Sequence, residues 1–302
     1  MILEVKNINK SFDGKHILKD VSFKVVSNRA MGFLGRNGAG KTTTIRTLMN
    51  VFEADNGQIL LDGKEFVRKN QKVGYLPEER GMYGKIKILD QLAYFGQLKG
   101  MDKKTAKESA LKWLAYMDLE DRARDNMDTL SKGNQQKVQI IQAIIDNPDI
   151  LILDEPFSGL DPVNSQVLKN LIHDFIEAGK LVIFSSHQMG YVEEFCDDIS
   201  LIKNGEIILS GNLDKIKKDY GKNKYRVRVK EREIFLSKIE SLSWLKYSED
   251  KSSFIVDLDN RPANDLLAYL IGEDMTIELF SSYEPSLEEI FVMEDRLYEE
   301  ER

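Results

Sequence analysis

Cysteine is nearly missing from this sequence, which contains one, Cys196, in 302 residues. A single thiol cannot close a disulfide within the chain, and it cannot supply a cysteine-based zinc site. Small disulfide-rich scaffolds and zinc-finger proteins are therefore excluded, and the composition is typical of a protein of the reducing cytosol. Cys196 itself follows an apolar helical pattern, so we expect it to pack in the interior.

Long apolar runs are missing too. No stretch of the sequence approaches the roughly 18–20 apolar residues that a membrane-spanning helix needs, and residues 1–6 lack the basic and apolar regions of a signal peptide. We therefore expect a cytoplasmic protein, and any role at a membrane requires another chain to cross it. Basic charge is also in deficit. The net charge of −7 argues against a broad nucleic-acid-binding surface.

A glycine-rich turn at residues 35–42 lies between an apolar strand and the start of a helix. It has the pattern Gly-x-x-x-x-Gly-Lys-[Ser/Thr], in which glycines allow successive main-chain amides to turn inward around a phosphate. The helix that follows adds its unpaired N-terminal amides. Lys41 adds a charge for the outer phosphates, and the hydroxyl of Thr42 suits a magnesium ion. The turn therefore predicts a nucleotide-binding loop.

Two further strands that are predicted to be buried end in reactive side chains. Residues 150–154 are a continuous apolar run that closes on Asp154 and Glu155, and residues 181–186 are a second run followed by His187. The alternation of strands and helices predicts a layered α/β domain with a largely parallel sheet and an antiparallel β part at its start. Because ligands of such sheets bind at the carboxyl ends of the strands, we expect these side chains and the glycine-rich turn to converge.

Phe12 lies near the N-terminus, just before a turn at Gly14. Its flat ring could stack on a purine base, or it could be an ordinary core side chain. The sequence favours neither alternative over the other.

The composition changes at residues 214–223, which are polar and rich in lysine and therefore predict a linker. Beyond it, short strands alternate with short helices, without a glycine-rich loop or a group of metal ligands in the sequence. We expect a small C-terminal α+β domain at 216–302. The preceding domain, at 1–215, is expected to contain a helical subdomain at about 86–146.

Five motifs, in order and with matching spacing, resemble those of the ATP-binding cassette (ABC) ATPases. They are the glycine-rich turn, Leu-Ser-Lys-Gly-Asn-Gln-Gln at 130–136, Ile-Leu-Ile-Leu-Asp-Glu-Pro at 150–156, Ser-Gly-Leu-Asp at 158–161 and Ser-His at 186–187. The resemblance covers about residues 1–215. It implies a P-loop NTPase core with a mixed sheet, an antiparallel β subdomain and a helical subdomain.

A narrower resemblance rests on residues 76–83, Leu-Pro-Glu-Glu-Arg-Gly-Met-Tyr, and on the appended C-terminal domain. Both are similar to a subgroup of bacterial exporter-type cassettes, which is grouped with sodium-extrusion and drug-resistance ATPases. The resemblance implies an ATP-hydrolysing transporter subunit, of exporter type, with ATP and Mg²⁺ as its ligands.

The site residues follow from the family motifs. Glu155 would polarise the attacking water, His187 would contact the γ-phosphate, and Thr42 and Asp154 would hold magnesium, Asp154 through water. The residues implied to contact ATP are Phe12, Gly35, Arg36, Asn37, Gly38, Ala39, Gly40, Lys41, Thr42 and Thr43.

A second subunit is implied by the signature at Ser131, Lys132, Gly133 and Asn134, which in this family caps ATP bound to another ATPase subunit. ATP would then hold together a homodimer or a heterodimer of ATPases, with Asp161 in the loop that passes between them. A separately encoded transmembrane permease subunit would receive the motion. This arrangement implies a peripheral protein on the cytoplasmic face of the cell membrane.

Two sites depart from the family pattern. In the signature, Lys132 and Asn134 stand where glycine and glutamine are usual, which adds a cation and shortens an amide. Glu78 stands where the family has a glutamine that binds magnesium. A carboxylate can also ligate magnesium, but it adds negative charge beside a triphosphate. The sequence therefore leaves two roles for Glu78: it ligates magnesium, or it makes an indirect contact with the site or a contact with a partner.

The alternative function is that of a soluble ABC ATPase acting on DNA or ribosomes. Chromosome-type relatives insert a long coiled coil between the glycine-rich turn and the signature, whereas only about 90 residues separate Lys41 from Ser131, without sustained heptads. Translation-type relatives usually carry two cassettes, and this chain has one. No nucleic-acid partner is therefore expected. A module that binds ATP without cleaving it is disfavoured by Glu155 and His187, and a GTPase by the missing Asn-Lys-x-Asp motif.

Overall fold

The structure is a computed structural model that describes residues 1–79 and 81–300. Arg80, in the segment 76–83, lies outside the described residues, as do residues 301 and 302. The described chain divides into two compact units, Met1–Leu213 and a second unit that begins at Asp214. Among the helices of these described residues, none is long and apolar enough to cross a membrane.

The first unit combines two sheets with helices. Its strands are β1 (Ile2–Phe12), β2 (Lys15–Val26), β3 (Ala30–Leu34), β4 (Asn56–Leu61), β5 (Lys64–Glu65), β6 (Val73–Leu76), β7 (Ile150–Asp154), β8 (Leu181–Ser186), β9 (Asp198–Lys203) and β10 (Glu206–Asn212). Its α-helices are α1 (Lys41–Leu48), α2 (Ile88–Leu98), α3 (Lys103–Tyr116), α4 (Lys132–Ile144), α5 (Pro162–Glu177) and α6 (Met189–Phe195), and α7 (Leu213–Tyr220) begins at its end.

A sheet ordered β10-β9-β3-β8-β7-β6 forms the centre of this unit. Its strands run parallel except for β10, which pairs antiparallel with β9. Every residue of β3, β7 and β8 is buried, which explains why their sequences are apolar runs without alternation. Parallel pairing places the carboxyl ends of these three strands at one edge of the sheet. The predicted α/β fold with a largely parallel sheet is confirmed.

A second, antiparallel sheet ordered β2-β1-β4-β5 begins the chain, as predicted. Its buried side chains, such as Leu3 and Val21, share one hydrophobic core with Met31 and Phe33 of β3. This core fixes the position of β3, and therefore of the glycine-rich turn that follows it.

The helical subdomain predicted at about 86–146 contains α2, α3 and α4, and its first two helices follow each other closely. They are separated at Gly100, whose φ of +92° favours glycine. Asp102 then caps α3 by accepting hydrogen bonds from the amides of Lys104 and Thr105. Leu98, the last residue of α2, is 64% exposed.

The second unit is an α+β module. It comprises β11 (Lys224–Val229), α8 (Arg232–Ile239), β12 (Lys246–Asp250), β13 (Ser253–Asp257), α9 (Ala263–Gly272), β14 (Ile277–Ser282) and α10 (Leu287–Glu300). The antiparallel sheet is ordered β12-β13-β11-β14, and the succession β-α-β-β-α-β is ferredoxin-like. Phe235 of α8 and Leu266 of α9 join Phe254 and Val256 of β13 in its core.

The linker predicted at 214–223 is wrong for most of its length, because α7 occupies Leu213–Tyr220. Leu213 and Ile216 are buried, whereas the lysines between and beyond them occupy the rest of the helix surface. Two apolar residues three positions apart are enough to anchor two turns of helix, and they are easily overlooked in a polar segment.

Candidate nucleotide site

The glycine-rich turn joins the buried end of β3 to the first turn of α1. Gly38 and Gly40 have φ of +80° and +116°, a region that favours glycine. A Cβ on Gly35 would lie 2.5 Å from the carbonyl oxygen of Ile202, so this position needs glycine because of close packing. No side chain in the described chain caps α1, whose N-terminal amides remain available to an anion.

Lys41, the first residue of α1, is only 6% exposed. Its Nζ donates a hydrogen bond to the carbonyl oxygen of Gly35 at 2.7 Å and lies 3.6 Å from Oε1 of Glu155. A buried ammonium is costly unless polar groups surround it, and here the carbonyl oxygens of Gly35 and Arg36, the latter at 3.4 Å, and the carboxylate of Glu155 do so. The arrangement holds a cation at the mouth of the loop.

Asp154 ends β7 beside Ser185 of β8, as the parallel register requires. The hydroxyl of Ser185 donates to Oδ1 of Asp154 and accepts a hydrogen bond from the amide of Glu155 at 3.1 Å. Burial raises the pKa of Asp154, and the charges of Glu78 and Glu155 raise it further, against the opposing hydrogen bonds from Ser185 and Thr42. The sequence indicated no role for Ser185. Its only signal was a polar residue at the end of a buried strand.

Glu155 follows Asp154 in a left-handed conformation, with φ of +51°, and its side chain is 7% exposed. This backbone region is unusual for glutamate and often marks a functional position. Oε1 of Glu155 lies 2.9 Å from Nδ1 of His187, whose side chain is 46% exposed. The predicted convergence of loop, carboxylates and histidine at one edge of the sheet is confirmed.

The glycine-rich turn and Glu155 border a cavity of about 390 Å³, which neither Asp154 nor His187 lines. It is lined by Ile17, Arg36, Asn37, Gly38, Gly40, Lys41, Thr42, Thr43, Glu78 and Glu155. A larger cavity, of about 820 Å³, lies beside the C-terminal end of α1 and β4, and none of the motif residues lines it. The smaller cavity therefore has the chemistry for a phosphorylated ligand: main-chain amides, a lysine, a hydroxyl and carboxylates.

Phe12 is 40% exposed at the end of β1, so the alternative of an ordinary core phenylalanine is wrong. Its ring meets the edge of Phe52 at 5.0 Å between centroids, with Nζ of Lys10 5.4 Å from its own centroid. Phe12 does not line the cavity described above, but an exposed ring at the end of a strand remains accessible to a flat ligand.

The signature residues lie at the start of α4. Ser131 is the N-cap and accepts a hydrogen bond from the amide of Asn134 at 3.3 Å. Asp161 caps α5 in the same way, through the amide of Asn164 at 2.8 Å. A Cβ on Gly133 would lie 2.9 Å from the side chain of Asn164, so the signature and the Asp161 loop are in contact within one chain.

Ser131, Lys132, Gly133, Asn134 and Asp161 do not line the 390 Å³ cavity of their own chain. The start of α4 is therefore not part of that cavity. Gln136, which ends the motif at 130–136 but was given no role of its own, donates a hydrogen bond to the carbonyl oxygen of Pro156 at 3.0 Å and connects α4 to the residues after Glu155.

Comparison with known families matches residues 18–158 to the ABC transporter family. Residues 211–294 match the C-terminal domain of proteins like the ATP-binding protein DrrA1-3. The second match begins close to the boundary between the two compact units of the described chain.

Among curated proteins, the uncharacterized ABC transporter ATP-binding protein YhaQ of Bacillus subtilis is 36% identical over 293 residues, which cover 96% of this chain and 97% of YhaQ. The linearmycin resistance ATP-binding protein LnrL of the same organism is 35% identical over 214 residues, covering 70% of this chain and 69% of LnrL. A solved ATP-binding subunit of an ABC transporter superposes with a TM-score of 0.67 at 29% identity, over 73% of this chain and 94% of that one.

Proposed function

The chain belongs to the ATP-binding proteins of ABC transporters, and on that premise we propose that it powers an exporter. As a member of this family it binds and hydrolyses ATP for a transporter. The exporter assignment is supported by the similarity to LnrL, a linearmycin resistance ATP-binding protein, and to the C-terminal domain of proteins like DrrA1-3. The alternative of a soluble ATPase acting on DNA or ribosomes finds no support among the compared proteins.

One observation carries the assignment of the site: the buried side chains of Lys41 and Glu155 face each other across 3.6 Å at the cavity of the glycine-rich turn. A cation that can bind phosphate and a carboxylate that can polarise water are thereby held next to each other. The phosphates would be held by main-chain amides of the turn and by the helix terminus, and the base would stack on Phe12. The proposed phosphate contacts are Gly35, Arg36, Asn37, Gly38, Ala39, Gly40, Lys41, Thr42 and Thr43.

Glu155 is proposed to polarise the water that attacks the γ-phosphorus and to accept its proton. The bond from phosphorus to the β–γ bridging oxygen breaks, and ADP and phosphate leave. His187, 2.9 Å from Oε1 of Glu155, would orient that carboxylate and contact the γ-phosphate. Since Glu155 is buried and its backbone is held by Ser185, little reorganisation precedes the attack.

Magnesium fits the oxygen donors at the end of β7. Oδ2 of Asp154 is buried without a hydrogen-bond partner in the described chain, and the Thr42 hydroxyl is close enough to influence the pKa of that carboxyl. No group of three candidate metal-ligating side chains occurs in the described residues, which suits an ion that shares its coordination with phosphate and water. Bound magnesium would neutralise phosphate charge. Thr42 would hold it directly and Asp154 through water, and Glu78 lies on the wall of the same cavity.

A dimer is the proposed active form, either of two copies or with a related ATPase. The support is geometric. The signature at 131–134 and the loop with Asp161 are in contact with each other, and none of these residues lines the cavity of their own chain. The cap and amides of α4 are then available to phosphates held by a second ATPase. Lys132, exposed at the start of α4, adds a cation to this surface.

A membrane-spanning permease encoded as a separate chain is the proposed partner, which would hold the protein at the cytoplasmic face of the membrane. A row of exposed apolar side chains on the helical part of the first unit suits such a contact. The row consists of Tyr83, Ile86, Tyr94 and Leu98, each between 44% and 64% exposed. The side chain of the buried Gln91 bonds the backbone of Tyr83 and Ile86, and so fixes the segment that carries these two residues.

Purification of the full chain from its native membranes tests the function. We expect magnesium-dependent ATP hydrolysis and co-purification of a protein with several apolar spans. A double substitution in the exposed row, Tyr94→Glu with Leu98→Glu, should abolish the co-purification, whereas Ile234→Glu with Ile271→Glu, at exposed positions of the second unit, should not. Recovery with ribosomes or DNA instead of a membrane protein would contradict the proposal.

A further inference from the structure

A second charged cavity lies at the opposite edge of the six-stranded sheet, where β6 begins. It measures about 380 Å³ and is lined by Arg68, Lys69, Asn70, Gln71, Lys72, Val73, Leu98, Lys99 and Asp146. We call it the basic cavity. Because β6 runs parallel to β7, its start is remote from the strand ends that carry the nucleotide site.

Its two inner cations are held by main-chain oxygens. The guanidinium of Arg68 donates to the carbonyl oxygens of Gln71 and Val73, each at 3.2 Å. Nζ of Lys99 donates to the carbonyl oxygen of Ala143 at 2.7 Å and to Asp146 at 2.6 Å. Because both cations are bonded to main-chain oxygens, the course of the backbone fixes where the two charges lie.

The negative charge in the cavity does not balance the positive charge. Asp146 is the one carboxylate among the described lining residues, against four basic side chains. Lys69 and Lys72 form no ion pair with any described residue. Burial lowers the pKa of Arg68, and burial together with repulsion from Arg68 lowers that of Lys99, although Asp146 offsets both in part. The cavity is thus an unfavourable place for its own cations until an anion enters.

We propose that the basic cavity binds a phosphate group, carried either by an anionic lipid headgroup or by a soluble phosphate compound. A multiply charged, compact anion suits the excess of positive charge better than a single carboxylate does. Asn70 and Gln71 add amide groups to the lining as hydrogen-bond donors. Leu98, 64% exposed on the rim, places an apolar side chain beside the cations, a combination that also occurs where proteins touch lipid surfaces.

The test uses the full chain with Lys69→Gln and Lys72→Gln together. Both lysines are exposed, and neither side chain forms a hydrogen bond or an ion pair among the described residues, so we expect unchanged folding by circular dichroism. The control, Lys107→Gln with Lys112→Gln, removes the same charge from exposed positions of α3. Calorimetry with inorganic phosphate and flotation with phosphatidylglycerol vesicles, against phosphatidylcholine vesicles, are the two measurements.

We expect the double variant to bind at least one of the two probes about 10- to 30-fold more weakly than the wild type and the control do, because two lysines contribute near such an anion. If the double variant loses binding to vesicles alone, the ligand is a lipid headgroup. If it loses binding to inorganic phosphate alone, the ligand is a soluble compound. If it loses binding to both, the cavity recognises the phosphate group itself. Phosphate held by the glycine-rich turn would be equal in all three proteins. Equal binding of both probes by all three would overturn the proposal, as would an occupant that proves to be a protein carboxylate.

Discussion

The ion pairs on the C-terminal sheet differ from the charged groups of the nucleotide site in how far water reaches them. On the C-terminal sheet, Arg226 pairs with Asp250 and Arg228 with Glu278, and every one of these side chains is more than a third exposed. In the first unit, Lys41 and Glu155 are 6% and 7% exposed, and Asp154 keeps one oxygen without a hydrogen bond among the described residues.

The difference separates two uses of charge. Exposed pairs contribute little to stability and can be exchanged cheaply. Buried charges that are not fully paired are costly, so a fold retains them where a ligand completes their interactions. Exchanging single charges in the two units therefore tests whether the first unit's buried groups serve a ligand.

The largest effect is expected from Glu155→Gln. If Glu155 is the base, hydrolysis should fall by about 10²- to 10⁴-fold, while the affinity for ATP stays within a few-fold because the amide keeps the shape of the side chain. Phosphate release and calorimetry measure the two quantities. Glu278→Gln, which breaks a surface pair of the second unit, should change neither. Undiminished hydrolysis by the Glu155 variant would remove it from the mechanism.

Lys41→Ala is expected to weaken ATP binding by about 10- to 100-fold, since hydrogen bonds to charged groups contribute about 1.5–3 kcal/mol. The matched exchange in the second unit is Lys238→Ala, which breaks the surface pair with Glu273 and should leave the affinity unchanged. Calorimetry at constant ionic strength gives both affinities. Normal affinity of the Lys41 variant would mean that the nucleotide phosphates bind elsewhere.

The features of the nucleotide site that the sequence could predict are those that depend on neighbouring residues. The glycine-rich turn and the buried strand ending in Asp154 and Glu155 are local signals, because each depends on residues adjacent in the chain. Their convergence followed from the rule that the ends of parallel strands share an edge.

Contacts between distant residues were not predictable in this way. The bond from Ser185 to Asp154 depends on the register of β7 against β8, which no single strand reveals. The basic cavity likewise joins Arg68 to Lys99 and Asp146 through the packing of three elements. The helix α7 was not predicted for another reason: the polar composition of its sequence indicated a linker, and only two of its residues are buried.

Glu78→Gln sharpens the comparison inside the nucleotide cavity. Glu78 lines the cavity and is exposed, so it is a surface carboxylate placed where a triphosphate would bind. Removing its charge should raise the affinity for ATP, measured with a chelator present, by about fivefold, the size expected for one like charge in a watery site. Glu79→Gln, which removes a charge outside the cavity lining, is the control. A lower affinity in the Glu78 variant would show that its carboxylate makes a needed contact.

The smallest effect is expected from Glu231 in the second unit, where a carboxylate stabilises the fold without any ligand. Its oxygens accept hydrogen bonds from the amide and hydroxyl of Thr276 at 2.9 and 3.0 Å, and these bonds lower the pKa of Glu231 from its ordinary value of 4.5. Because the folded pKa is the lower one, its contribution is complete above the ordinary value and is lost as the pH falls through the folded pKa. Glu231→Ala should therefore lower Tm slightly at neutral pH, and the difference from wild type should vanish in acid. Glu233→Ala, at an exposed position of α8, is the control, and a difference that grows in acid would contradict the argument.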